Sequence, residues 1–535
     1  MPRHVNGSGP RPCEFFICGE GPGYAEDAAG RPFVGKTGEE LSRHLDGVSC
    51  PARADCFLTN IFREYKGKDY VWTQQDLVDA EPHLLRELAA CRPKIIVPLG
   101  RYATRFFMGD VDMDEVWGIP WLLPPSDKLA FLGNTTVVFP IHHPAAGFHN
   151  SEMAGYVVAG FQRLGEFLDG QTPARRLYDD PLAGKEQYEE ITTATRLNTL
   201  CRAWTSTTNV SIDTEGWPGT PWSLQFNTEP GIAYLIRATN TELLSTFRTH
   251  LHRVRPRLTF HSALHDLGMG RALRVGFDGL KFDDTMVMAY LLQLEPQGLK
   301  ALCARHCNMR MQSYDELVAE PDERLAVDYL RWLWDAEQED YEDRCQEEFI
   351  RLTTTPYTDK SGHVKPGRKI RHAPKLPKSA LHKAVTRCLQ SKNQRKLWGD
   401  QVEDIQVAGY HRLGEMPAAT LDYVPRERAI TYGCRDSDGT ARVRRELSTR
   451  IDALQLREVY NLELGTYPLI DRMSRIGIKP DLDHFAALSA RLGGEIETIQ
   501  GKLASATALG DFNANSGDQV AAYLFDTLNL EGMKR

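Results

Sequence analysis

The stretch Val210-Ser211-Ile212-Asp213-Thr214-Glu215-Gly216 constrains this chain more than any other. An apolar, β-favouring run ends in two acids one residue apart. On a strand, side chains at i and i+2 share a face, so Asp213 and Glu215 aim at one spot while Thr214 points away. Two anions directed at one place repel, and a divalent ion with oxygen ligands is the simplest relief. A strand that ends in a solvated acidic turn would carry the same residues, so the pair alone leaves both readings open.

At 535 residues the chain is too long for a single core, and about three domains are expected. Net charge is −8, so any affinity for nucleic acid must come from local basic patches rather than from the total. The 11 cysteines include no Cys-x2-Cys pair, which argues against a disulfide framework and a zinc ribbon. Cys303 and Cys307 flank His306 at helical spacing and read as a buried turn. The sequence shows no signal peptide and no apolar run of membrane length, so we expect a cytosolic protein with no membrane partner.

Two later stretches give the acidic pair its context. One is Thr259-Phe260-His261-Ser262-Ala263-Leu264-His265-Asp266. The other is Tyr432-Gly433-Cys434-Arg435-Asp436, in which Tyr432 and Asp436 lie one helical turn apart. In this order, and with Asp284-Thr285-Met286 and Ala289-Tyr290-Leu291-Leu292 between them, they resemble the tyrosine branch of the DEDD superfamily of 3′–5′ exonucleases. The resemblance implies an RNase H-like sheet and two-metal phosphodiester hydrolysis. Asp213, Glu215, Asp266 and Asp436 would hold two Mg²⁺ or Mn²⁺ ions. Tyr432 would orient the attacking water, a task that Glu215 would share. Ser262 stands where the family usually has Asn, which weakens a contact to the substrate strand. Asp284 reads as a helix N-terminal acid with a structural role.

The first segment alternates short apolar strands with helical stretches. Phe15-Phe16-Ile17-Cys18, Lys94 to Gly100 and Thr136 to Pro140 read as strands, and Leu77 to Ala90 as a helix. That alternation predicts an α/β sheet with helices on both faces and ligands at the strands' carboxyl ends. Those ends carry Gly19-Glu20-Gly21-Pro22-Gly23, Arg31-Pro32-Phe33-Val34-Gly35, Thr59-Asn60 and His142-His143-Pro144. Each has a plain structural reading as a turn, a core ring, a cap or a satisfied histidine. Together they resemble the uracil-DNA glycosylase superfamily, in the branch whose first motif is Gly-Glu-Ala/Gly-Pro-Gly.

The chemistry implied begins with a uracil that leaves the base stack. Phe33 would stack on it, the Asn60 amide would read its edge, and His143 would hydrogen-bond O2 as charge grows on the departing base. Gly19, Glu20, Gly21, Pro22 and Gly23 would line the sugar and water side. Gly21 replaces the water-activating Asp of the best-known branch. An iron–sulfur cluster on four cysteines is usual in this branch, but Cys13 and Cys18 have the wrong spacing and Ala80 or Glu81 falls where a ligand is due. We therefore expect no cluster.

Residues 1–170 are thus expected to be a uracil-DNA glycosylase-like α/β/α domain, 171–186 a linker, and 187–450 the exonuclease domain. A basic insertion over about 350–415 includes Lys365, Arg368, Lys369, Arg371, Lys375, Lys378 and Lys383; it reads equally as a solvated loop or as a grip on nucleic acid. Residues 451–535 are expected to be helical, with Pro468 breaking the first helix. Glu463, Pro468-Leu469, Gly477-Ile478 and Phe512-Asn513-x-Asn515-Ser516 resemble the start of a family A DNA polymerase thumb. No polymerase active-site carboxylates follow, so we expect no nucleotide addition by this chain and read it as the front part of a longer polymerase. The partners expected are uracil-containing DNA, single-stranded 3′ ends and other replication proteins, in a bacterial or phage-infected cell. The alternatives are a first domain that senses or grips DNA without cutting it, and an RNA-trimming exonuclease.

Overall fold

The computed structural model describes residues 4–530 apart from 48, 68–69, 149, 294, 320–322, 362, 366, 369–371, 380–381, 384, 387–419 and 508–511. The chain forms two compact units, residues 1–465 and 466–535.

Among the described residues the first unit contains two large sheets and a two-stranded hairpin. The strands β1 (Phe15–Gly19), β2 (Cys56–Asn60), β3 (Ile95–Pro98), β4 (Trp121–Leu122) and β5 (Val137–Val138) lie in the order β2-β1-β3-β5-β4. All neighbours run parallel except β4 and β5. Successive residues feed different cores: Phe16, Cys18, Phe57, Ile96 and Val138 pack into one cluster, while Ile17, Cys56, Leu58, Val97 and Val137 pack into another. A strand buried on both faces has no polar side to show, which is why these runs read as continuously apolar. The glycine-rich turn and Asn60 emerge side by side, because Gly19 pairs with Asn60 in register.

The second sheet is mixed. Its strands β6 (Gln187–Glu190), β7 (Asn209–Trp217), β8 (Thr220–Glu229), β9 (Ile232–Arg237), β10 (Arg257–Phe260) and β11 (Phe282–Asp284) lie in the order β11-β10-β7-β8-β9-β6. The antiparallel meander β7-β8-β9 sits at its centre. The spacing over Tyr188 to Trp204 predicts one helix, but Gln187–Glu190 pairs as an edge strand with β9, and the helix is Ala194–Cys201, capped by Thr193. The edge strand is held from outside the sheet, since the Tyr188 hydroxyl donates to buried Asp438 at 2.9 Å.

The segment expected as a linker touches both halves of this unit. The backbone N–H of Leu122 donates to the Arg175 carbonyl, Tyr178 donates to Glu115, and the Arg442 guanidinium clasps Asp180 at 2.9 and 3.0 Å. Over the basic insertion, a helix Glu323–Thr354 leads to a small hairpin, Tyr357–Thr358 with Val364–Lys365. Lys369, Arg371 and residues 387–419 lie outside the described residues.

The second unit is helical, with Leu482–Thr507 followed by Gly517–Ala521 and a turn at Ala522–Thr527. The Arg457–Ile476 helix runs through Pro468 without the expected break. No helix among the described residues is long and apolar enough to cross a membrane.

Candidate active sites

The first cleft opens at the carboxyl ends of β1 and β2 and holds about 460 Å³. Glu20, Gly21, Pro22, Gly23, Phe33, Asn60 and His143 all line it, so the first-segment candidates converge although they come from four separate stretches. The fit is close. A Cβ on Gly19 would fall 2.4 Å from Asn60 Oδ1 and 2.7 Å from Phe33 Cζ, so only a residue without a side chain fits there.

Buried polar groups hold the cleft in shape. Phe33 has φ +55°, an unusual conformation for a ring-bearing residue, and the Arg53 guanidinium donates to its carbonyl at 2.7 Å. Glu26 is buried and accepts from the backbone N–H groups of Gly23 and Gly35, both at 3.1 Å. That one carboxylate ties the glycine-rich turn to the loop that follows Phe33.

The acid–base state of the cleft follows from its burial. Desolvation pulls the His143 imidazole down to about 4, opposed by the nearby Glu26 carboxylate, so it is neutral at pH 7. The Ala145 backbone N–H donates to His143 Nδ1 at 3.3 Å, which leaves the proton on Nε2. Burial raises the Glu20 carboxyl, and Arg101 and a hydrogen bond with Trp72 counter it. Trp72 stacks on Phe62 with ring centroids 3.8 Å apart, and Lys66 lies over Tyr70 and Trp72. Trp72 and Lys66 add an aromatic and cationic wall that the sequence motifs did not single out.

The second cleft is built where β7 meets the long helix Arg426–Ala453. Gly433 permits the contact, since a Cβ there would lie 2.4 Å from Gln225 Nε2 on β8. The close approach sets Tyr432 and Asp436 over the end of β7. Carboxylate oxygens of Asp213, Glu215 and Asp436 lie within 4.8 Å of one another, and Asp213 Oδ2 is buried with no hydrogen-bond partner.

Asp266, the fourth carboxylate of the expected set, is not among these three. It is only 2% exposed, and its Oδ1 accepts from the Thr214 hydroxyl at 2.6 Å. Its charge still reaches the cluster: burial raises Asp213 well above the usual carboxylate range, and Asp436, Glu215 and Asp266 raise it further. Burial likewise raises Glu215, with Asp436 and Asp266 adding to it. Asp436 is pushed up to about 7 by burial, with Lys300 opposing. Four acids in this arrangement stay ionised together only beside compensating positive charge.

In this second cleft sequence reasoning missed Lys300. It stands at the start of the helix Leu299–Cys307, its ammonium 5.9 Å from the centre of the Tyr432 ring and within electrostatic reach of Asp436 and Glu215. Its only sequence signal was a lysine opening an apolar helix. Burial and the same carboxylates raise the Tyr432 phenol far above its ordinary value, so it is a neutral hydrogen-bonding group. Ser262 adopts φ +65°, with its backbone N–H donating to Asp284 Oδ1 at 3.2 Å. Asp284, fully buried, also caps the helix Thr285–Leu291.

The fit of a divalent cation rests on the donor set. Asp213, Glu215 and Asp436 offer hard oxygen ligands close together, and one buried oxygen is unsatisfied. Among the described residues this is the one group of carboxylates, histidines or cysteines close enough to hold a metal.

Comparison with known proteins separates the two halves. A type-4 uracil-DNA glycosylase of Saccharolobus solfataricus is 29% identical over 167 residues, spanning 31% of this chain and 77% of the relative. Those of Sulfurisphaera tokodaii and Thermotoga maritima are 29% and 28% identical and are covered over 82% and 87% of their lengths. Among solved structures, Brucella melitensis NrnC with bound Mg²⁺ matches at 11% identity and a TM-score of 0.28, covering 54% of this chain and 94% of that one. The catalytic core of RRP6 from Trypanosoma brucei matches at 17% identity and a TM-score of 0.20, covering 26% and 40%. Likeness at that level identifies nothing by itself. The family model described as the uracil DNA glycosylase superfamily matches residues 7–164, and the chain therefore carries a domain of that superfamily at its N-terminus.

Proposed function

We propose that this chain is a DNA-maintenance protein with two hydrolytic sites: a uracil-excising cleft in residues 1–170 and a metal-dependent 3′–5′ exonuclease of RNase H-like fold in residues 187–450. The convergence of Asp436 with Asp213 and Glu215, far from it in sequence, onto one spot within 4.8 Å carries the exonuclease reading. Divalent ions held there supply positive charge for the phosphoryl group and the leaving 3′ oxygen. Tyr432, a neutral donor beside the carboxylates, orients the attacking water, and Lys300 faces the charge that develops on the phosphate. Asp266, held by Thr214 beside this cluster, would be the fourth carboxylate of the metal set.

In the first cleft, Phe33 stacks on an extruded uracil, Asn60 pairs with its edge, and His143 donates from Nε2 to O2. A neutral imidazole suits this task, because a donor that is already uncharged adds no charge to the free cleft. Residues 451–535 we read as the start of a family A polymerase thumb, which places the chain in replication in a bacterial or phage-infected cell.

One observation favours a second reading, in which the first domain grips uracil without cutting. Position 21 has no room for an acid: a Cβ on Gly21 would lie 2.7 Å from Trp72 Cζ2. An oligonucleotide with one uracil, incubated with and without EDTA, decides between them. Abasic sites that form despite EDTA, with metal-dependent shortening from the 3′ end, are the expected result. Intact uracil in DNA that is still shortened selects the gripping reading. No shortening with Mg²⁺ or Mn²⁺ removes the exonuclease. A matched RNA strand trimmed faster than DNA would select RNA as the substrate.

A further inference from the structure

A second pocket, of about 410 Å³, lies at the seam between the two halves of the first unit. It lies outside both clefts described above. Four guanidiniums line it, those of Arg163, Arg175, Arg305 and Arg450, against two carboxylates, those of Glu166 and Glu295. Glu295 is buried and heavily engaged. Its Oε1 accepts from Arg163 at 3.4 Å and twice from Arg450 at 3.1 Å; its Oε2 accepts from Arg305 and faces His306, both at 3.2 Å.

One carboxylate cannot neutralise three guanidiniums. Burial pulls Arg305 down to about 10; Glu295 opposes the fall, and Arg163 and Arg175 add to it. The donors are not used up either. Arg305 spends its Nη1 on the carbonyls of Trp117 and Asp114, at 2.9 and 3.2 Å. Arg175 gives one Nη2 bond to the Arg305 carbonyl and rests over Trp121, but its buried Nε has no partner. A buried guanidinium donor left unpaired is costly, and a cluster of forked donors with net positive charge suits a tetrahedral oxyanion.

From this geometry we propose that the seam pocket binds a phosphate dianion, either free inorganic phosphate or the phosphate of a mononucleotide. The bound anion accepts from the guanidinium donors of Arg163 and Arg450 that Glu295 leaves open, with the Arg175 guanidinium adding positive charge at the pocket wall. Because those residues come from both halves of the unit, the anion joins the halves. The pocket holds the chemical class of product that a 3′-terminal nuclease releases, so binding links turnover in one half to the stiffness of the whole unit. The link to turnover rests on the exonuclease reading; the binding of the anion stands on the pocket alone.

The test is the thermal transition of the full chain in EDTA, with inorganic phosphate and with thymidine 5′-monophosphate, each against chloride at matched ionic strength. Both ligands are expected to raise the transition. A larger effect of the nucleotide makes it the ligand, and equal effects make phosphate alone the recognised group. In the double variant Arg175→Gln with Arg450→Gln, affinity for either is expected to fall tenfold or more, about the worth of one charge-assisted bond. Thr172→Glu, on the exposed rim, puts an anion at the mouth without touching the Glu295 network and is expected to weaken binding similarly. No stabilisation of the unmodified chain beyond chloride overturns the proposal. So does stabilisation that survives undiminished in both the double variant and Thr172→Glu, because the anion would then sit elsewhere.

Discussion

The two clefts solve opposite electrostatic problems. Most of the groups that build the cleft at β1 and β2 are neutral or internally paired: a neutral imidazole, an amide, a ring, and a carboxylate spent on two backbone N–H groups. It is complete as it stands. The cleft at β7 concentrates acids that raise one another, with Lys300 nearby to oppose them. It is complete only with added positive charge. A site for an uncharged base can be finished by packing, whereas a site for cations has to remain electrostatically unsatisfied until they arrive.

The sharpest break of this contrast comes from removing one ligand. Asp213→Asn or Asp436→Asn is expected to lower 3′ shortening by roughly a thousandfold or more, as does chelation, while leaving uracil release unchanged. If both activities fell together, the clefts would not be separate chemistries. Next, Asn60→Ala or His143→Leu should cut uracil release roughly a hundredfold to a thousandfold, with shortening intact, by analogy with the loss of one preorganised donor. Single-turnover assays on a uracil duplex measure it.

The third prediction sets the clefts against each other in stability. His143 titrates near 4 when folded and near its ordinary 6.5 when unfolded, so it destabilises the fold as pH falls from 6.5 to 4. Asp436 titrates near 7 when folded against 3.8 unfolded, so without metal it destabilises the fold as pH rises from 4 to 7. Each amounts to a few kcal/mol at most. Thermal melts in EDTA should show His143→Gln removing the acid-side loss and Asp436→Asn the neutral-side loss; equal profiles for all three proteins would contradict both assignments. The smallest effect is expected at Lys300. Lys300→Met should lower the turnover of shortening about tenfold with little change in KM, with partial recovery in Lys300→Arg, which kinetics on a single-stranded DNA substrate would reveal.

Much of this was legible in the sequence because it is local. The pairing of Asp213 with Glu215 follows from strand periodicity, and the Tyr432–Asp436 turn from helix periodicity. The apolar runs of β1, β3 and β5 announce a sheet covered on both faces. What stayed hidden depended on partners far along the chain. Tyr188 joins a strand because β9 offers it an edge and Asp438 a hydroxyl acceptor. Pro468 sits within a continuous helix, although its ring normally interrupts one. Asp266 looked interchangeable with the other acids, yet its carboxylate is turned to Thr214. Lys300 and Trp72 carried no motif at all.

By itself the sequence determined the kinds of chemistry available: which strands carry acids on one face, which turns are bare enough for close approach, and which segments bury both sides. Tertiary structure alone decided where those groups meet and how much charge is left over. The oversubscribed Glu295 and the arginines around it come from stretches with no shared periodicity or motif. The physical reason is range: backbone geometry acts over a few residues, whereas burial and Coulomb interaction depend on distance in space and are fixed only when remote parts of the chain pack together.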